Sequence, residues 1–406
     1  MKKNLSKITL GVVLSSFILI GIIIASNDTN MKIEDVKGNK SELGDVSIIS
    51  QEGKGLYNTK ETVLSKDGFK VKKIAKGLPG VSKYSKNVVE NRNLFNSVHD
   101  SNLIYEDKES IGYLGYISTD YYASEGAKFN TKITDKNLKT NKITEFDIDI
   151  INSSEEYDNA RECCLVIKYK NEIYLAIGIT NDINYDKNGN IIDNRNSSIS
   201  IYKIGLENQK AQLFDEIKIK ENVDISNGVS FVNNNKIYFM AQTYKDSGEQ
   251  YLVYYDLENN KFDYIKDPVK IKEKNNSNDN DTAYSIDDNK LNIIYNDSTT
   301  DKKSTIIHQC SVDLEKEKVI ENDKVYKIDK INENSQIRGF RVLDNKIYLV
   351  LNSYKEEKGI SYISQSELSY NIVVLDEKTK KVLYIGQSKQ EESHSATNYI
   401  VKNEEL

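Results

Sequence analysis

Oxygen-bearing side chains spaced two or three apart around a glycine are the pattern here best suited to chemistry. They occur in NYDKNGNIID, where Asp186, Asn188, Asn190 and Asp193 surround Gly189. Calcium takes about six to eight oxygens from a tight loop that glycine permits, so the residue types suit it. The same letters also make an Asn188-Gly189 hairpin turn. The glutamate that closes an EF-hand is missing, because the twelfth position counted from Asp186 is Ser197. The expectation is a turn, with calcium as the alternative and no other cofactor.

Other chemistry finds little support. His99, His308 and His394 are dispersed and lack metal-ligand spacing. Cys163 and Cys164 are neighbours in one strand-like run and should point to opposite faces; with Cys310 they make an odd number, which excludes a disulfide scaffold. No nucleophile elbow, phosphate loop or dinucleotide fingerprint appears. Glycoside hydrolysis would need two carboxylates across a cleft. The acids instead recur at turns, as in Asp256-Leu257-Glu258, Asp313-Leu314-Glu315 and Asp376-Glu377-Lys378. Recurrence at one place in each unit marks a structural feature, since an Asp there can accept backbone N–H groups within its turn.

Tyrosine offers a recognition chemistry. There are 27 Tyr against 10 Phe and no Trp, and Tyr121, Tyr122, Tyr244, Tyr354 and Tyr362 fall outside the regular runs. A ring with a polar rim suits protein or glycan surfaces, so these five are the candidate ligand or partner surface. The long insertions at 119–128, 180–197 and 354–369 would carry most of them.

The elements that must position these residues come from a repeat. Glu172, Lys236, Lys290 and Lys346 each open an apolar run after an Asn- or Asp-bearing turn, and they are 64, 54 and 56 residues apart. Glu109 holds the same place 63 residues before Glu172. Each run is followed by a hairpin, starting near Ser198, Tyr251, Thr305 and Tyr370, so each unit supplies about four short strands. Four-stranded units at this period bury their faces by packing around an axis. The fold expected is all-β, a β-propeller-like domain of five to six blades over 51–402. A sixth blade would combine the early hairpin around Asp67-Gly68 with a strand near 398–402. The alternative is a set of tandem β-sandwiches. The kelch double glycine and the WD dipeptide are both absent, so the likeness is to propellers in general.

Lys2, Lys3 and Lys7 precede an apolar stretch over 8–25, long enough to approach the thickness of a bilayer. Basic residues before the stretch should hold that end inside. The reading is a short cytoplasmic end (1–7), a transmembrane signal anchor (8–25), an extracytoplasmic tether (26–50), the propeller-like domain, and a tail (403–406). That places a single-pass protein in the cell membrane with its C-terminal domain outside the cytoplasm; secretion after signal cleavage is the alternative. The net charge is −6, and without the three lysines of residues 1–25 it is −9, which excludes a general nucleic-acid surface. The functional expectation is a membrane-anchored binding or scaffold protein engaging a protein partner or cell-wall component. The alternative is an anchored propeller hydrolase or lyase acting on glycan or peptide.

Overall fold

In the computed structural model, residues 33–54, 58–74, 85–95, 101–115, 118–120, 127–152, 161–180, 184–185, 191–192, 197–219, 223–225, 229–243, 249–271, 282–297, 304–329, 331, 335–353, 368–390 and 397–405 are described. They form six antiparallel sheets of four or five strands, with a two-stranded ribbon, Asn184–Tyr185 and Ile191–Ile192, beside the third. Blades 3 to 6 open with the innermost strands Arg161–Tyr169, Ser230–Asn233, Thr282–Asp287 and Ser335–Leu343. Their second strands are Glu172–Thr180, Lys236–Thr243, Lys290–Asp297 and Lys346–Ser353, so the four charged residues of the repeat each begin a strand. Blade 2 starts at Ile104–Glu106 and ends at Ile143–Asn152.

The turn before each second strand explains the Asn and Asp of the repeat. Lys170 and Asn171, Asn234 and Asn235, and Asp344 and Asn345 all have positive φ, between 45° and 64°. Two consecutive left-handed residues make the hairpin turn whose twist matches that of its strands. The outer hairpins are as regular. Asp256 accepts the Glu258 and Asn259 amides, Asp313 that of Lys316, and Asp376 that of Thr379. The recurring acids are turn caps.

The middles of the second strands are largely apolar because both faces are covered. Ile293 packs with Tyr238 and Leu252 of blade 4, whereas its neighbour Ile294 packs with Ile347 and Leu349 of blade 6. Blades 2 and 3, 3 and 4, and 6 and 1 share clusters in the same way. Each fully buried Ile or Leu of this kind contributes roughly 2 kcal/mol. Sheets packed successively around a centre are a propeller; tandem sandwiches would pair them two by two.

Blade 1 is built from both parts of the chain. Val46–Lys54, Asn58–Ser65 and Gly68–Ile74 supply three strands, and Thr397–Lys402 supplies the innermost, pairing Val46 with Lys402 and Gln51 with Thr397. A further strand, Glu34–Lys37, adds to the outer edge of blade 6, pairing Glu34 with Gln387 and Asp35 with Gly386. The segment 34–50 therefore belongs to the ring, which corrects its reading as tether. Its few apolar residues lie in short stretches that carry no repeat signal. Residues 403–406 are likewise no free tail, because Asn403–Glu405 form a 3-10 turn bonded into the ring. The candidate anchor, 8–25, lies outside the described residues, among which no helix is long and apolar enough to cross a membrane.

Candidate functional site

The innermost strands surround a central cavity of about 540 Å³. Every blade contributes a wall residue: Ile400 from blade 1, then Ile104, Val166, Val232, Ile286 and Phe340 from blades 2 to 6. The faces of each sheet pack on the neighbouring blades, so the free edge of each innermost strand looks inward, and consecutive residues such as Leu165 and Val166, or Tyr284, Ser285 and Ile286, line the cavity. Tyr284 stands at the cavity with 39% of its surface exposed.

Asn102, Ser230 and Ser285 add neutral polar groups to the wall, and two charged residues line it, Arg341 of blade 6 and Glu405 of the closing 3-10 turn. The guanidinium donates to both Glu405 oxygens, at 2.6 and 2.8 Å, and to the Ile400 carbonyl at 3.0 Å. Asp287 of blade 5 approaches Nη2, the nitrogen that also serves Glu405 Oε1, at 3.6 Å. Burial pushes the Asp287 carboxyl upward, more than Arg341 and Lys402 draw it down. Burial works on Glu405 in the same sense, but the Arg341 hydrogen bonds, the Lys402 amide and the nearby positive charges outweigh it and hold that carboxyl low. Two carboxylates thus flank one guanidinium with opposite tendencies, Glu405 at the chamber wall and Asp287 behind it at the second concavity.

A second concavity, about 330 Å³, opens between blades 5 and 6 on the face of the tight turns. Several of its acids have partners: Lys290 Nζ lies 2.7 Å from Glu377, Lys316 Nζ 2.8 Å from Asp313, and Asn289 Nδ2 3.3 Å from Glu315. The lysine contact is one of a series. Lys236 reaches Glu317 of the next blade at 2.7 Å, and Lys346 reaches Glu42 at 3.0 Å, so the repeat lysine clamps its blade to the following one.

Tyr121, Tyr122, Tyr244, Tyr354 and Tyr362 lie outside the described residues, as do Asp186, Asn188, Asn190 and Asp193, and His99 and His394. Among the described residues no group of three or more His, Cys, Asp or Glu could hold a metal ion. His308 is buried in blade 5, its Nδ1 2.6 Å from Asp323 and its ring stacked on Tyr295. No disulfide joins the cysteines; Cys163 Sγ donates to Ser230 and Cys310 Sγ to the Asn322 carbonyl. The Asp287, Arg341 and Glu405 group was not singled out from sequence. A signal was present: Arg341 is one of five arginines in a chain whose other basic residues are lysine, and it falls in an innermost strand.

No family model matches the sequence, and no curated protein is similar to it. Solved structures of similar fold include a Bacteroides fragilis protein named as a candidate 6-phosphogluconolactonase, at 10% identity and TM-score 0.37, covering 92% of this chain and 99% of that one. The Nup133 β-propeller domain of Vanderwaltozyma polyspora matches at 12% identity and TM-score 0.34, covering 90% and 99%. A glycoside hydrolase family 43 protein of Bacillus licheniformis matches at 12% and 0.30, covering 71% and 57%. At such identities and scores the likeness does not extend to a site or a reaction.

Proposed function

We propose that this chain is a membrane-anchored, extracytoplasmic propeller that binds a protein partner or cell-wall component. The observation that carries this reading is the central chamber: its walls mix aliphatic and aromatic side chains with neutral polar ones such as Asn102, Ser230 and Ser285, and its charged side chains are spent on one another around Arg341. Such a chamber offers a ligand shape, neutral hydrogen-bonding groups and one internally paired charged end, whereas bond cleavage asks for groups free to move protons. The apolar stretch at 8–25 and the basic residues before it support the anchor. Calcium in the Asp186 loop remains a subsidiary proposal.

A second reading is an anchored hydrolase or lyase acting on glycan or peptide, the class to which the family 43 glycoside hydrolases among the structures of similar fold belong. What favours it in this chain is the Asp287 and Glu405 pair, whose carboxyls are displaced in opposite directions, as an acid and base would need to be. The deciding experiment offers cell-wall polysaccharide and peptide mixtures to the domain beginning at residue 33, following both retention and bond cleavage. Retention without cleavage, unchanged in Asp287→Asn, supports the binding reading. Cleavage abolished by Asp287→Asn in a protein with an unaltered melting temperature establishes the second.

A further inference from the structure

The concavity between blades 5 and 6 has a hydrogen-bond donor at its floor with nothing to receive it. Asn292 is fully buried and lines that space, and its Nδ2 has no partner. The orientation of this amide follows from its neighbours. The Glu377 carboxylate, paired with Lys290 at 2.7 Å, can only accept, so Gln309 turns Nε2 toward it at 3.3 Å and gives Oε1 to the Tyr326 hydroxyl at 2.6 Å. The same Nε2 donates to Asn292 Oδ1 at 3.0 Å, and the Ser311 hydroxyl donates there at 2.8 Å. Asn292 therefore keeps its oxygen for blade 5 and leaves its nitrogen to the concavity. A buried donor without an acceptor carries its full desolvation penalty, so this one calls for an acceptor from outside.

The acids above it call for a cation. Glu377, Asp313 and Glu315 have the partners already described, whereas Asp287, Asp288 and Asp344 are weakly neutralised. Asp287 stands 3.6 Å from an Arg341 that is given to Glu405, Asp344 stands 4.0 Å from Lys402, and Asp288 has no ion pair among the described residues. Burial pushes the Asp287 carboxyl upward, Arg341 and Lys402 draw it down, and the negative charges of Asp288 and Asp344 push it up again. Because no three acids among the described residues could hold a metal ion, these carboxyls frame a space and do not converge on a point. Val342 and the half-exposed Ile320 add aliphatic surface beside them.

We propose that this concavity is a second binding site, independent of the central chamber, and that it takes a protonated amine with hydroxyl groups beside it: the 2-amino-2-deoxyhexose unit of a de-N-acetylated glycan. The ammonium brings three donors to three aspartates. A hydroxyl on the adjoining carbon accepts from Asn292 Nδ2 and still donates to a carboxylate, which a lysine side chain cannot do. The C–H face of the ring covers Ile320. The volume, about 330 Å³, lies at the small end of ligand pockets, as a single sugar unit requires.

The test titrates the full chain, kept soluble in a neutral detergent, with four probes: the glucosamine tetrasaccharide, its N-acetylated form, the glucose tetrasaccharide and tetralysine. The glucosamine tetrasaccharide should bind at least about tenfold more tightly than each of the others, the effect of one or two charge-assisted hydrogen bonds. Asparagine adopts the positive φ of 50° found at both Asp288 and Asp344, so Asp288→Asn and Asp344→Asn should keep their turns and the melting temperature. Each should weaken amino-sugar binding by about threefold to fivefold. Asn292→Asp exchanges the donor for an acceptor and should shrink the preference for the amino sugar over tetralysine, a ratio read within one protein; if that variant does not fold, the two aspartate variants decide. Tetralysine bound as tightly as the amino sugar overturns the ligand class, and equal binding of either neutral tetrasaccharide overturns the role of the aspartates. Binding that Asp288→Asn and Asp344→Asn leave untouched lies elsewhere, which overturns this site and spares the reading of the chamber. Binding of none of the four overturns the site as well, the Asn292 donor then serving water alone.

Discussion

Arg341 is the residue on which the chamber and the ring closure both depend. Its bonds to Glu405 and to the Ile400 carbonyl join blade 6 to the closing strand of blade 1. Glu405→Gln removes the charge and keeps the shape; the expected loss is about 1–2 kcal/mol, read as a lower urea midpoint with an unchanged slope. Acid should act through the same residues. The carboxyls of Glu405, Glu317 and Glu377 are held below their ordinary range, because their lysine or arginine partners outweigh burial. A carboxyl lowered by folding contributes stability above its unfolded pKa and loses it as pH falls through the folded value. Asp287, raised by burial, works in the opposite direction. With three groups against one, the melting temperature should fall as pH drops below about 4.5, and should fall less in Glu405→Gln. A flat profile from pH 6 to pH 3 would refute the assignment. This trio could not be read from the chain, because its members come from blade 5, blade 6 and the closing turn, and pairing across blades leaves no mark in local spacing.

The elements were the most legible level. Lys236, Lys290 and Lys346 mark the starts of second strands because a turn with left-handed backbone, a pair of residues before Lys236 and Lys346 and Asp288 alone before Lys290, must precede them and a largely apolar strand must follow. Asn345→Ala, at φ 62°, should cost about 1 kcal/mol, whereas Asn345→Gly should be neutral or stabilising; thermal melts separate the two. What the pattern concealed was the purpose of the lysine itself, which reads as a solvated turn charge until the neighbouring blade is in place. Lys290→Met should therefore destabilise the ring, leaving Glu377 with the neutral Gln309 amide but without its Lys290 cation, read as a lower melting temperature. The strand at 34–37 was missed for another reason. Four residues, EDVK, carry too little periodicity to announce a strand, and this one exists because the edge of blade 6 offers it unpaired backbone. Gly38 follows it at φ 70°, where a Cβ would stand 1.9 Å from the Leu383 carbonyl oxygen. Gly38→Ala should detach this strand at a cost of roughly 2 kcal/mol or more, detected as faster proteolytic cleavage ahead of residue 46.

At the scale of the molecule, the ring is joined by residues almost the whole sequence apart. Ser47 Oγ donates to Asn403 Oδ1 across 356 positions, and Val46 pairs with Lys402. A ribosome therefore delivers the second strand of blade 1 long before the strand that will cover it. Throughout synthesis, Val46–Gln51 waits with an open backbone edge and with Ile48 and Ile49 lacking their partners, the condition under which chains pair with strangers. Such long-range pairing is also slow to find. Refolding from denaturant should accordingly show a late phase in which the Arg341 and Glu405 contact forms, and its yield should fall with rising protein concentration. A chain with this dependence on its last strand is exposed to premature termination: a stop codon only ten residues early would spare five blades and leave the sixth without its inner wall.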